Sequence, residues 1–285
     1  MPHHERFFHL HLISDSTGET LIAASRAVAS QYEKTTAIEH VYTSVQSMAR
    51  LDEVIAMIDI KPGIVLFTIA NNKLSNKLLE KCNSMGIPCI SLLEPIFKIF
   101  QSYLGIPTAQ KTGAQHELNS EYFNRIDAIN FTLMHDDGAL PDNIEDADIV
   151  LLGISRTSKT PTSIYLANRG LKTTNLPLVP NFDVPEKLLA AKRPLIVSLI
   201  ATTDRIFQVR QNRLLGDEKV HKNNPYTDRA SIAEELAQTR KLCKRYNWPM
   251  IDVTRRSIEE TAAEIYSLWQ QQIEKTHQAV EVEKP

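Results

Sequence analysis

Residues 7–14 are mostly apolar and end in the polar run Ser14-Asp15-Ser16-Thr17. Residues 20–32 then carry apolar positions at helical spacing, behind Ser16 and Glu19 at the separation of a capping box. A strand followed by a helix is expected. The pattern recurs, with strands at 38–45, 64–69 and 88–92 separated by helical stretches at 48–58 and 74–85. Such alternation predicts a mostly parallel sheet with helices on both faces. From 95 to 134 the reading is helical, broken by the polar loop 108–116. His135-Asp136-Asp137-Gly138-Ala139-Leu140-Pro141-Asp142-Asn143 is acidic and rich in turn formers, so the link between two lobes is expected there. Beyond it, strands at 147–152, 175–179, 194–200 and 249–253 alternate with helices at 161–168, 204–214, 231–246 and 257–272. Two α/β domains are therefore expected, 1–140 with a helical extension and 141–275, followed by a frayed tail 276–285. No internal repeat is evident.

The length of 285 residues suits two domains, and 42% hydrophobic with 23% charged residues is an ordinary soluble composition. A formal charge of -2 lacks the basic excess of a nucleic-acid binder, so no nucleic-acid partner is expected. No stretch approaches the roughly 18 apolar residues of a membrane span, and no signal peptide is evident. Cys82, Cys89 and Cys243 show no CxxC spacing and are too few for a disulfide framework, so a reducing, cytoplasmic compartment is expected, with Cys82 and Cys89 as ordinary buried residues.

Directly after the apolar run 148–152 comes Gly153-Ile154-Ser155-Arg156-Thr157-Ser158-Lys159-Thr160, with a helical pattern behind it. A phosphate-binding loop needs a first glycine for the turn and amides aimed inward at phosphate oxygens. It also needs a lysine for the outer phosphates and a hydroxyl for Mg²⁺. All are present here, with Thr160 as the metal ligand, except that Ser158 replaces the second glycine. Ser158 must then adopt the backbone angle that glycine would supply. The plainer reading is a helix cap with Lys159 in solvent.

The segment Gly153-Ile-Ser-Arg-Thr-Ser-Lys-Thr-Pro-Thr-Ser-Ile-Tyr-Leu-Ala167 closely resembles the signature of the pyruvate, phosphate dikinase regulatory proteins, which are related to the phosphoenolpyruvate synthase regulatory proteins. Further blocks match in the same order: Ser14-Asp15-Ser16-Thr17-Gly18-Glu19-Thr20, Tyr122-Phe123-Asn124-Arg125-Ile126-Asp127-Ala128-Ile129, His135-Asp136-Asp137-Gly138, Leu178-Val179-Pro180, and the run from Trp248 to Thr261. The resemblance spans roughly residues 7–272, and Ser158 fits the dikinase branch. Two α/β lobes are expected, an N-terminal Rossmann-like one and a C-terminal P-loop kinase-like one. The activity implied is bifunctional: an ADP-dependent kinase that inactivates the dikinase on a threonine, and a phosphorylase that reverses this with inorganic phosphate and releases diphosphate. ADP and phosphate are the expected co-substrates, with Mg²⁺, the dikinase is the expected partner, and a homodimer is expected. The synthase remains open as target, as do a small-molecule kinase and a nucleotide-sensing adaptor without chemistry.

Other constellations are weighed beside the loop. The turn 14–18 repeats its logic, which makes Asp15 a candidate for acceptor or metal contact against an ordinary helix cap. Asp252 closes a short apolar strand, where ligands bind in such sheets, and Arg255 and Arg256 follow, with Ser257 and Glu260 spaced for a capping box. Asp204 precedes Arg205, Arg210 and Arg213, for which a solvated helix face is the plainer reading and a phosphate clamp the sharper one. His135, flanked by Asp136 and Asp137, is a candidate general base. Asp15, Asp204, Asp252 and His135 are not ranked for orienting the acceptor hydroxyl. His9 and His11, with His3 and His4 nearby, lack a convincing zinc pattern, and Trp248 and Trp269 read as core anchors.

Overall fold

The computed structural model describes residues 6–109, 120–180, 183–214 and 225–282. The chain divides into two compact units, Met1–Glu117 and Leu118–Pro285. The first contains β1 (Arg6–Ser14), α1 (Glu19–Ala29), β2 (Thr35–Tyr42), α2 (Met48–Ile60), β3 (Gly63–Thr68), α3 (Asn72–Ser84), β4 (Cys89–Ser91) and α4 (Glu94–Leu104). Its strands are all parallel, in the order β2-β1-β3-β4. Alternation along β1 decides which helix covers which face. Leu10 and Leu12 pack with Leu21 of α1, while Ile13 joins Val65, Phe67, Leu51, Val54 and Ile58 of α2, and Leu74 and Leu78 of α3. Burial of each such side chain contributes about 1.5–3 kcal/mol, enough to fix the register from both sides.

Two local expectations fail here for stated reasons. β2 ends at Tyr42, not near Val45, because Ser44 takes φ +55 and the amides of Ser44 and Val45 turn to the carbonyls of Ser16 and Ser14. The Ser16/Glu19 capping box does not form, since Gly18 at φ +81 is the N-cap and the Ser16 amide donates to Ser14 Oγ.

The second unit contains α5 (Ser120–Met134), β5 (Ile149–Gly153), α6 (Lys159–Ala167), β6 (Thr173–Pro177), the single turn α7 (Glu186–Leu189), β7 (Leu195–Ile200), α8 (Thr203–Leu214), α9 (Arg229–Tyr246), β8 (Met250–Asp252) and α10 (Ile258–Val282). Its strands are again all parallel, in the order β6-β5-β7-β8, so both units are wound alike. Ile149, Leu151, Val197 and Leu199 face Leu166 of α6 and Ala262 and Ile265 of α10, with Trp269 against them. Val150, Leu152 and Ile196 face Leu188 of α7, Leu242 of α9 and Trp248.

The acidic segment 135–143 lies inside this second unit instead of linking two lobes. The reason is that α5 is stitched to β6: the Thr173 amide donates to Thr132 Oγ1 at 3.1 Å, and Thr174 Oγ1 donates to the His135 carbonyl at 2.8 Å. The tail expected to fray continues as helix through Val282, with Thr276 Oγ1 bonded to Gln272 O, because no glycine or proline interrupts the run before Pro285. Residues 283–285 and most of the expected loop 108–116 lie outside the described residues, as do His3 and His4. The three cysteines are free, with Cys82 and Cys243 buried and Cys89 half-buried. Among the described residues no helix is long and apolar enough to cross a membrane.

On the first sheet His9, His11 and His40 form one cluster. His11 is fully buried, its Nε2–H donating to Lys61 O at 2.8 Å, which leaves Nδ1 to accept from the Tyr42 hydroxyl at 3.2 Å. His40 stacks on it at 4.8 Å and shares a 2.9 Å hydrogen bond with His9. Burial holds His11 and His40 below the ordinary imidazole value of 6.5, and neighbouring cations, Lys61 among them, push the same way. The unfolded chain therefore binds protons more readily as pH falls below that value, and stability is lost in that window. The urea midpoint should accordingly fall between pH 7.5 and 5.5, and His11→Asn should fall less over the same interval. An equal fall in both proteins would show that the cluster does not set this dependence.

Candidate active site

β5 lies between β6 and β7, and the chain leaves it first toward β6 and later toward β7. The crevice at its carboxyl end is the topological switch point, where ligands bind in open parallel sheets. The loop 153–158 fills that position. Gly153 has φ +148, and a Cβ there would stand 2.5 Å from Leu199 O and 2.8 Å from Thr157 Oγ1. Only glycine lets β5 pass this close to β7 and still turn. Thr157, fully buried, donates to Ile154 O at 3.0 Å and pins the turn from inside. Below it Ile154 packs with Ala201, Ile206, Ile232 and Leu236. Arg156 and Ser158 take φ +78 and +63, so the position where a general phosphate loop has glycine does require glycine-like backbone, and Ser158 adopts it as the N-cap of α6. Among the described residues no amide of residues 155–158 donates to a backbone carbonyl. Unpaired amides at a helix N-terminus form a cradle for an anion.

Lys159 is not solvated. It is 8% exposed, and its Nζ folds back to donate to Gly153 O at 2.9 Å and Ile154 O at 3.0 Å. Burial pushes its pKa down to about 8, partly offset by Asp137 and Asp136 and reinforced by Arg210 and Arg156. At neutral pH the amine stays mostly protonated, a cation held on two carbonyls that a bound anion would attract.

Thr160 Oγ1 donates to the Asp136 carboxylate at 3.1 Å, and Asn175, buried in β6, donates to the same carboxylate while accepting from the Asp137 amide at 3.1 Å. A hydroxyl and a carboxylate oxygen side by side are hard donors suited to Mg²⁺ completed by phosphate oxygens. Among the described residues no group of three or more His, Cys, Asp or Glu forms a metal cage by itself.

The remaining candidates fall in different places. His135 donates from Nδ1 to Phe131 O at 2.8 Å and lines a cavity of about 580 Å³ with Asp148, Lys172 and Arg193, residues that precede β5, β6 and β7. That is the amino end of the sheet, so of this acidic run it is Asp136 and Asp137 that face the loop. Asp252 accepts from the amide and hydroxyl of Thr254, whose Oγ1 accepts from the Thr202 amide at 2.9 Å. The Thr254 hydroxyl, first, holds its carboxyl below the usual range, with Arg240 and Arg256 adding to the effect. It ties together the turns after β7 and β8. Asp15 belongs to the first unit, where its carboxylate accepts the Ala70 amide at 2.8 Å. Arg256 pairs with Glu264 and Asp204 with Arg229, while Arg205, Arg213 and Arg255 are exposed. The Ser257/Glu260 capping box forms reciprocally at 2.9 and 3.1 Å.

Arg210 departs from the solvated-face reading: it is 1% exposed and sits against the loop. Its position four residues after buried Ile206 places it on the inward stripe of α8, the one sequence signal for this. Tyr226 and Glu235, which complete its surroundings, carried no signal.

The geometry defines an α/β protein with a glycine-initiated loop at a sheet switch point. The kinase/pyrophosphorylase family matches residues 10–266, and the chain belongs to it. Among curated relatives it is 62% identical to a pyruvate, phosphate dikinase regulatory protein of Chelativorans sp. (strain BNC1) over 93% of this chain and 97% of that protein. It is 58% identical to the protein of the same name from Agrobacterium fabrum, over 94% of this chain and 98% of the relative, and 56% identical to that of Sinorhizobium medicae over the same shares.

Two substitutions separate the glycine requirements. Gly153→Ala should destabilise the second unit by about 2–4 kcal/mol through backbone collision and strain. Ser158→Gly, in contrast, should raise the unfolding free energy by up to about 1 kcal/mol by relieving the left-handed residue. Thermal unfolding decides both, and a stable Gly153→Ala protein would mean that the approach to Leu199 is not a constraint in solution.

Proposed function

We propose that this protein transfers the β-phosphoryl group of ADP to a threonine of pyruvate, phosphate dikinase, and reverses that modification with inorganic phosphate. The observation that carries the reading is the buried Lys159 inside an unpaired-amide cradle, in a chain matched along 93% of its length by a relative named for that dikinase. On this reading the second unit is a P-loop kinase-like domain. The first is Rossmann-like in the broad, doubly wound sense, its β2-β1-β3-β4 order corresponding to the flavodoxin branch.

Phosphoryl transfer asks mainly for positioning and charge neutralisation. In the forward direction the threonine Oγ attacks the β-phosphorus of ADP, the bond to the bridging oxygen breaks, AMP leaves and the hydroxyl proton passes to a base. In the reverse direction an oxygen of inorganic phosphate attacks the phosphothreonine phosphorus, the bond to the threonine Oγ breaks, that oxygen takes up a proton, and diphosphate forms. The second reaction is the first run backwards with phosphate in place of AMP, so one site serves both. The amides of residues 155–158 hold the phosphoryl oxygens, and Lys159 releases its two carbonyls to neutralise them. Thr160 and Asp136 would hold Mg²⁺, which supplies charge stabilisation when bound.

Incubating the protein with ADP and the dikinase should yield AMP and phosphothreonine. Phosphorylation of phosphoenolpyruvate synthase or of a metabolite instead, or binding without turnover, would overturn the assignment. Lys159→Ala should lower both transfers by at least about 100-fold in a protein that still folds and unfolds cooperatively. With one site, AMP should inhibit dephosphorylation competitively with phosphate; noncompetitive inhibition would require two.

A further inference from the structure

The geometry points to Tyr226 as a positioning residue that aims the loop arginine, Arg156, at the phosphate groups of the nucleotide, a role that rests on reading the 153–160 loop as their site. Arg156 occupies the middle of the loop at φ +78, a conformation that a side-chain-bearing residue keeps only where its surroundings fix it. Its Nε–H donates to the Tyr226 hydroxyl at 3.3 Å, and among the described residues its terminal amino groups have no acceptor. The same hydroxyl lies 3.2 Å from Ser155 Oγ. One phenol oxygen therefore touches two consecutive loop side chains and leaves the fork of the guanidinium available, the geometry suited to bidentate phosphate contact.

Tyr226 is itself held by a strut. The buried Arg210 guanidinium lies 4.6 Å from its ring centre and donates to the Tyr226 carbonyl at 3.1 Å. Arg210 also makes a fork-to-fork pair with Glu235 of α9, at 3.0 and 2.7 Å, and donates to the Ser155 carbonyl at 3.3 Å. A buried ion pair of this kind is weak evidence for stability, since an apolar replacement is often neutral or better. Here it joins α8, α9, the turn Pro225–Thr227 and the loop, so the tyrosine cannot move independently of the cradle that it serves. Arg156 also lies close enough to Lys159 to help depress that amine, so two cations face one position that an anion would relieve.

A double-mutant cycle on ADP affinity, measured by calorimetry on the whole protein, tests the coupling. Tyr226→Phe keeps the ring under Arg210 and removes only the hydroxyl; it should weaken ADP by about 3- to 10-fold. Arg156→Ala should weaken it by about 10- to 100-fold, and adding Tyr226→Phe to Arg156→Ala should change nothing beyond about twofold. A parental affinity in Tyr226→Phe, or losses that multiply in the double variant, overturns the role. A protein that binds ADP yet makes no phosphothreonine sinks the proposed function while the cycle still decides this inference. Failure of the parent protein to bind ADP at millimolar concentration sinks both.

Discussion

Everything in the second unit's site depends on how closely β5 approaches β7 at Gly153. The space that a Cβ would need is occupied by the Leu199 carbonyl and the Thr157 hydroxyl, so the chain can turn there only without a side chain. Because the turn is that tight, residues 154–158 rise over the sheet edge and return within one short loop. Two of them pass through positive φ, and α6 starts with Lys159 pointing back beneath them. A looser turn would leave Lys159 on the surface, with an ordinary pKa and no fixed relation to the amides.

The same compression brings cations together, and the fold answers each one differently. Arg210 is neutralised outright by Glu235. Lys159 receives only carbonyl dipoles and the more distant Asp136 and Asp137, which offset only part of the lowering that its burial imposes. Arg156 has a neutral phenol. Charge compensation thus decreases from the strut toward the loop, where an anion would meet the least compensated cations.

Much of this was legible in the sequence, because strand and helix periodicities are imposed by burial on one face or both. Among the described residues, the eight parallel strands and every helix except the single turn α7 follow from them. Glycine at 153 and the strained Ser158 were legible because a motif encodes backbone geometry directly. What was not legible depends on long-range partners. The boundary was misplaced because an acidic, turn-rich segment looks like a linker whether or not Thr132 and Thr174 tie its neighbours to a strand. Asp136 was not singled out beside His135 because the side chains of the two neighbours turn opposite ways, His135 toward Asp148, Lys172 and Arg193 and Asp136 toward Thr160, and sequence adjacency does not show this. Arg210 read as solvent-facing because arginine on a helix usually is, and only Glu235, 25 residues later, makes its burial affordable.

The two units also show how little of a site resides in winding. Both have the order 2-1-3-4, both turn sharply after the first strand, and both start the next helix from a residue at positive φ, Gly18 or Ser158. Yet the turn after β1 places a buried carboxylate, Asp15, on the Ala70 amide, and α1 begins with Glu19 where α6 begins with Lys159. A negative side chain in the first helical turn complements the positive end of the helix, as Glu19 does in α1, whereas α6 has no acidic residue there. The Asp15 carboxylate in the turn after β1 closes onto the loop that follows β3, whereas the Lys159 amine in the turn after β5 folds back on its own loop's carbonyls. With identical strand order, the two turns differ in what the first side chain of the following helix carries, a carboxylate in one and a cation in the other.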